Sequence, residues 1–112
     1  MDREFIKTFK ALGENTRMKI IKLLSYKSMC VCELSEVLEM LQPRVSQHLK
    51  ILKEAKLVNE SKEGYWVFYS LNQDNLEEYW QDFESFLKED LNKLEEFPGI
   101  KDKIDNLSCR SK

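Results

Sequence analysis

Three residues of this 112-residue chain have a type and spacing that invite chemistry: Cys30 and Cys32, one residue apart, and Cys109. An odd count with a one-residue gap is not the spacing of a secreted disulfide framework, so reduced thiols with a chemical task are expected. Cys30 precedes an apolar-periodic segment and stands three residues before Glu33, where a capping box would place Ser or Thr. Cysteine caps poorly, while a helix N-terminus favours the thiolate, the form that ligates soft ions. The competing use of a free cysteine is as a small buried hydrophobe, but Cys30 and Cys32 cannot both face one core. On a regular helix residues i and i+2 point about 200° apart, so a shared ion is expected to deform the first helical turn. Cys109 either completes a trigonal three-thiolate site suited to As(III) or Sb(III) or is an unused tail residue. Soft ligands without a His or carboxylate pattern argue against Mg, Ca or Mn. Cys30 and His48, the single histidine, could also be imagined as nucleophile and base. No oxyanion-hole glycines, orienting acid or phosphate loop accompany them, so no enzyme is expected.

A second set of residues suits nucleic acid. Between 42 and 56 a stripe of Val45, Leu49, Leu52 and Ala55 marks a buried helix face, leaving Arg44, Gln47, His48 and Ile51 opposite and Ser46 and Lys50 at the borders. Gln can bond an adenine edge, Arg a guanine and Ser either, at about 1–3 kcal/mol of discrimination per good pair. Gln42 opens the same helix, and Lys50, Lys53 and Lys62 are expected to meet phosphates. Four Lys or Arg against one acid fill this stretch, whereas 73–96 holds nine acids against two lysines, so the net charge of -2 conceals strong segregation. If DNA is bound, it is bound at 42–56, with the acidic segment turned away.

The elements that must position these residues follow from periodicity. Phe5, Ile6, Phe9 and Leu12 read as a first helix, interrupted at Gly13-Glu14-Asn15 by one helix-ending and one capping residue. Met18, Ile20, Ile21, Leu23 and Leu24 read as a second helix from about Thr16 to Tyr26. Val31, Leu34, Val37 and Leu38 form a third of about two turns, and Pro43 is preorganised for the start of the fourth. Leu57–Ser61 and Tyr65–Leu71, separated by Lys62-Glu63-Gly64, read as a β-hairpin with Val67, Tyr69 and Leu71 inward and Trp66, Phe68 and Ser70 on the other face. Asn72 can cap a long helix whose stripe of Leu76, Trp80, Phe83, Leu87 and Leu94, flanked by Tyr79, Phe86 and Leu91, runs to Pro98-Gly99. That stripe is wider than one small core needs, which predicts a homodimer through the first and terminal helices. The expected organisation is one DNA-binding and dimerisation domain over 1–97 and a polar tail over 98–112.

Helix-turn-helix, two-stranded wing and terminal helix in this order make a mainly α winged helix-turn-helix. Phe9-Lys10-Ala11-Leu12 with Thr16-Arg17, Cys30-Val31-Cys32-Glu33-Leu34, Val45-Ser46-Gln47-His48-Leu49-Lys50-Ile51-Leu52 and Gly64-Tyr65-Trp66-Val67-Phe68-Tyr69-Ser70-Leu71 together resemble the ArsR-type family of metalloregulators over nearly the whole chain. The resemblance implies a homodimeric, promoter-binding repressor that releases DNA when a thiophilic metal or metalloid binds. Two features depart from the family pattern. Leu41 stands where many members place a Ser before the recognition helix, and the terminal helix has no His, which excludes the zinc site some members build there. Members with a site confined to the third helix carry another Cys three residues after the second; here it is Ser35.

The expected ligand sets are therefore Gln42, Arg44, Ser46, Gln47, His48, Lys50, Lys53 and Lys62 for an imperfect inverted repeat of duplex DNA, and Cys30, Cys32 and Cys109 for metal. No cofactor is expected in the DNA-bound state, with As(III), Sb(III) or another thiophilic ion as the inducer. Oxidation or persulfidation of the same cysteines is the alternative trigger. The uncharged apolar runs are far shorter than the roughly 20 residues that span a bilayer, and the N-terminus shows no basic region followed by an apolar one. A cytoplasmic protein without membrane contact is expected.

Overall fold

The computed structural model of the chain describes residues 3–94 and 98–109. In chain order the elements are α1 (Glu4–Leu12), α2 (Asn15–Tyr26), β1 (Met29–Cys30), α3 (Val31–Leu38), α4 (Gln42–Glu54), β2 (Val58–Glu63), β3 (Trp66–Leu71), α5 (Gln73–Lys88), a 3-10 turn (Leu91–Lys93) and α6 (Ile100–Asp105). Apolar residues spaced three and four apart on α2, α3 and α4 converge on one core, in which Ile20, Leu34, Val45, Leu49, Leu52 and Leu57 are fully buried. Val37 and Met18, counted in the apolar stripes from sequence, face outward at 56% and 50% exposure. The cap of α2 also differs from expectation: Glu14 is the N-cap, its carboxylate accepting the Arg17 N–H at 2.8 Å, and Asn15 is already helical. Asn72 caps α5 as expected, accepting from Asn75 N–H at 3.2 Å.

The wing is a three-stranded antiparallel sheet in the order β1-β3-β2. Hairpin register pairs Val58 with Leu71 and Glu63 with Trp66, leaving Gly64 and Tyr65 as the loop. Gly64 has φ +63, a conformation that an L side chain rarely adopts, and the tip there is open to solvent. Sequence periodicity anticipated two strands. The third, β1, is only two residues long and pairs Met29 with Tyr69 and Cys30 with Phe68, too short a run to leave an alternating pattern. Tyr69 and Leu71 pack on the core as expected, and the Tyr69 hydroxyl donates to Glu60 at 2.8 Å. Burial, reinforced by that carboxylate, pushes the Tyr69 phenol up to about 12.

Aromatic packing joins the two ends of the chain. Phe5 of α1 meets Phe83 and Phe86 of α5 at centroid distances of 5.7 and 5.4 Å, and Phe9 meets Phe83 at 5.0 Å. Arg3 clamps the far end of α5 with a bidentate pair to Glu89 at 2.8 and 3.0 Å. The single terminal helix read from sequence is divided: α5 stops at Lys88, Leu91 falls in the 3-10 turn, and Leu94 follows it. Glu89 leaves helical geometry at ψ 148, and Asp90 restarts the chain by accepting from Asn92 N–H at 2.8 Å, so a local cap interrupts the apolar stripe. Pro98-Gly99 then begins α6 instead of ending a helix, with Gly99 at φ +72 as its N-cap, so the expected polar tail contains a helix. The domain boundary expected at 97 and the tail from 110 onward lie outside the described residues.

Candidate nucleic-acid interface and thiol pocket

Helix α4 is held against α3 by a turn built from local hydrogen bonds. Glu39 closes α3 in the left-handed region at φ 53, and Met40 N–H returns to the Ser35 carbonyl at 3.1 Å. The Ser35 hydroxyl donates to the Met40 carbonyl. Ser35, where the family resemblance led us to look for a third thiol, therefore fastens the turn. Leu41 is the N-cap of α4 and offers no side-chain cap; Pro43 in the first turn has no N–H to satisfy, and the Leu41 carbonyl takes the Arg44 and Val45 N–H groups.

With Val45, Leu49 and Leu52 buried, the opposite face of α4 presents Gln42, Arg44, Ser46, Gln47 and Lys50 to solvent. This is the arrangement of donors, amides and cations that a major groove accepts. Lys62 is exposed on β2 of the wing. Lys53 is exposed but engaged, its Nζ donating to Glu60 at 2.8 Å. His48 stands apart from the outward set. Its side chain is only 14% exposed, and Nδ1 lies 3.3 Å from the Arg17 guanidinium and 3.9 Å from Glu14. Arg17 also donates from Nε to the Ala11 carbonyl at 2.6 Å, so His48 and Arg17 join α4 to the α1–α2 corner. Sequence reasoning missed this joint because neither i,i+4 spacing nor charge pairing links positions 17 and 48. The Arg17 N–H, with the charges of His48 and Arg17, holds the Glu14 carboxyl below its usual value.

Cys30 and Cys32 lie at the N-terminal end of α3. Cys30, Cys32, Glu33, Trp66 and Phe68 line one surface pocket. Cys30 is buried and Cys32 exposed. Cys30 is the N-cap that the spacing to Glu33 anticipated, extended at φ -87 and ψ 167, and without a bound ligand the two residues border one pocket beside an intact α3. Glu33 accepts the Cys30 N–H at 3.0 Å, completing its half of the anticipated capping box. That N–H, followed by the Cys30 thiol, keeps the Glu33 carboxyl below the usual carboxylate range. Phe68 and Trp66, assigned to the outer face of the hairpin, prove to be the walls of this pocket. Cys109 lies exposed beyond α6. Among the described residues no three His, Cys, Asp or Glu side chains are grouped to hold one metal ion, so the chain by itself does not assemble the three-thiolate set.

Comparison with known proteins agrees with this architecture. Residues 14–60 match the family profile described as bacterial regulatory protein, arsR family. An HTH-type transcriptional regulator of Methanocaldococcus jannaschii is 48% identical over 71 residues, spanning 62% of this chain and 80% of that protein. The arsenical resistance operon repressor of Bacillus subtilis is 37% identical over 75 residues, 66% of this chain and 71% of the relative. The solved structure of reduced HlyU from Vibrio cholerae superposes with a TM-score of 0.58 at 38% identity, over 61% of this chain and 72% of that one.

Proposed function

Because the chain belongs to the arsR family of bacterial regulatory proteins, a family of DNA-binding transcriptional regulators and not of enzymes, we propose that it is a homodimeric repressor released from its operator by a thiophilic ion. The inducer in this reading is As(III), Sb(III) or another soft ion bound by the Cys30 and Cys32 thiolates. Arg44, Gln47, Ser46 and Gln42 read base edges, while Lys50, Lys53 and Lys62 meet phosphates, Lys53 after parting from Glu60. The similarity to an arsenical resistance operon repressor supports the choice of ion. A cytoplasmic setting keeps both thiols reduced.

One observation carries the reading. Cys30 is at once the N-cap of α3 and a residue of β1 paired with Phe68 of β3. A ligand on its sulfur therefore bears on the helix that supports α4 and on the central strand of the wing. Both DNA-contacting elements are displaced from one point, and an ion that binds the displaced conformer more tightly lowers DNA affinity. Two thiols on one pocket suit a soft ion; a third donor comes from Cys109 across the dimer or from a small external thiol.

The test is DNA binding by the reduced protein, on an operator recovered by selection, with As(III), Sb(III), Cd(II), Pb(II) and Zn(II). Cys30→Ser and Cys32→Ser are expected to keep operator affinity and lose release, since serine caps α3 at least as well but is no soft ligand. Loss of DNA binding in these variants without inducer would make the cysteines structural. That the described residues group no third donor with the pair also favours a second reading, in which oxidation or persulfidation of the pair is the trigger. Release by oxidant but by none of the ions on the reduced protein would select it.

A further inference from the structure

The stretch that enters α4 carries a large apolar side chain that the fold does not use. Leu38 and Met40 pack against the core, whereas Leu41 is 74% exposed. As N-cap at φ -66 and ψ 139 it is extended, and it stands apart from the buried stripe of Val45, Leu49 and Leu52. An N-cap ordinarily favours a short polar side chain, and Leu ranks among the poorest there. Here no side-chain cap is called for: Pro43 has no N–H, and the Arg44 and Val45 N–H groups reach the Leu41 carbonyl at 3.0 and 3.2 Å. The Leu41 side chain thus serves neither capping nor core, nor does it belong to the apolar faces of α1 and α5. Its neighbours in the first turn, Gln42, Pro43 and Arg44, are all exposed. Resting on the reading of α4 as the helix that contacts base edges, we infer that Leu41 is a specificity residue that packs on the C5 methyl group of a thymine in each half-site.

The major groove offers one apolar group, that methyl, beside the O4 acceptor of thymine; the other base edges present donors and acceptors. A leucine makes no hydrogen bond, so against the N4 amino group of cytosine it removes water from a donor and returns nothing. Against thymine it covers the methyl and its own exposed surface together, and both leave water. Leu41 therefore discriminates by difference, with a gain at the methyl and a loss at a polar edge. Recognition helices approach base edges with their N-terminal residues, which is where Leu41 stands. Gln42 and Arg44 beside it supply an amide and a guanidinium for neighbouring edges, so the first turn of α4 combines apolar and polar readout.

The experiment uses the reduced full chain and the selected operator, with each thymine replaced in turn by uracil, which removes the methyl group and keeps every hydrogen-bonding atom. At one thymine of each half-site the replacement is expected to weaken binding roughly fourfold, and roughly fifteenfold when both half-sites carry it, the effect of leaving one methyl group unburied per site. Leu41→Ser, which gives α4 a good cap, binds the thymine and uracil duplexes alike. Leu41→Met, apolar and of similar volume, restores the difference. Each comparison is made within one variant, so a change in its stability cancels. Uracil sensitivity that persists in Leu41→Ser, or an operator in which no thymine shows it, overturns this inference. Relaxed base preference in Arg44→Ala or Gln47→Ala alongside that result leaves the reading of α4 standing. Equal losses of both those variants on operator and random DNA overturn both.

Discussion

Arg44 and Gln47 differ from Lys62 in what a neighbouring groove would offer them. The first two lie on the exposed face of α4 and in the proposed reading meet base edges, whereas Lys62 is exposed on the wing and is there assigned to the phosphate backbone. Arg44→Ala and Gln47→Ala are therefore expected to cost about 1–3 kcal/mol on operator DNA and to relax the preference at particular base pairs. Lys62→Ala should weaken all duplexes alike and reduce the salt slope by about one. Binding measured across an operator library at two salt concentrations separates them; equal losses on operator and random DNA would remove Gln47 from the reading set. His48 belongs to another group, since its ring faces Arg17 and not the outward side of α4. His48→Ala should lower stability by about 1 kcal/mol and weaken every operator variant by one common factor. A relaxed preference at a single base pair would return His48 to the reading set.

Among the elements, three helix ends are held by carboxylates. Glu14 caps α2, Glu33 caps α3, and Glu89 at the end of α5 takes Arg3; each carboxyl is held below its usual 4.5 by, in turn, the Arg17 N–H, the Cys30 N–H and the Arg3 side chain. A depressed folded value means that their contribution is fully present above pH 4.5 and is lost as pH falls through the folded values. Replacing all three by Gln should lower the melting temperature at neutral pH, and the gap to the unsubstituted protein should narrow steadily below pH 4.5. A gap that stays constant into acid would show that the charged forms add nothing. These elements also mark what could be read in advance. Strong periodicity in α4, β-branched and aromatic runs in the hairpin, and the Cys30…Glu33 spacing all announced themselves, because each reflects contacts within a few residues. The joint between Arg17 and His48, the strand β1 and the break after Lys88 did not. The first two depend on partners about thirty or more positions away, and the break depends on a local Asp90 turn that overrides an apolar stripe continuing through Leu91 and Leu94.

At the scale of the whole molecule, the aromatic layer between α1 and α5 is unevenly covered. Phe83 and Phe86 are packed by Phe5, while Trp80, Leu87 and Leu91 remain 57%, 64% and 40% exposed, and Phe9 is 40% exposed beside them. In the proposed dimer a second copy covers this surface, and the two α4 helices are expected about 34 Å apart, one turn of DNA, to match an inverted repeat. Trp80→Asp is expected to yield monomer at micromolar concentration in sedimentation and to weaken operator binding roughly a hundredfold, as two linked reading heads become independent. An unchanged dimer would place the interface elsewhere. Strand β3, finally, has β1 with Cys30 on one edge and β2 with Lys62 on the other. Equilibrium coupling through a shared strand runs in both directions by the same factor. Whatever the inducer takes from operator affinity, the operator takes from inducer affinity. Saturating the protein with operator fragment should thus raise the inducer concentration for half-occupancy by that factor, and a cell carrying more copies of the operator would respond only to a larger dose.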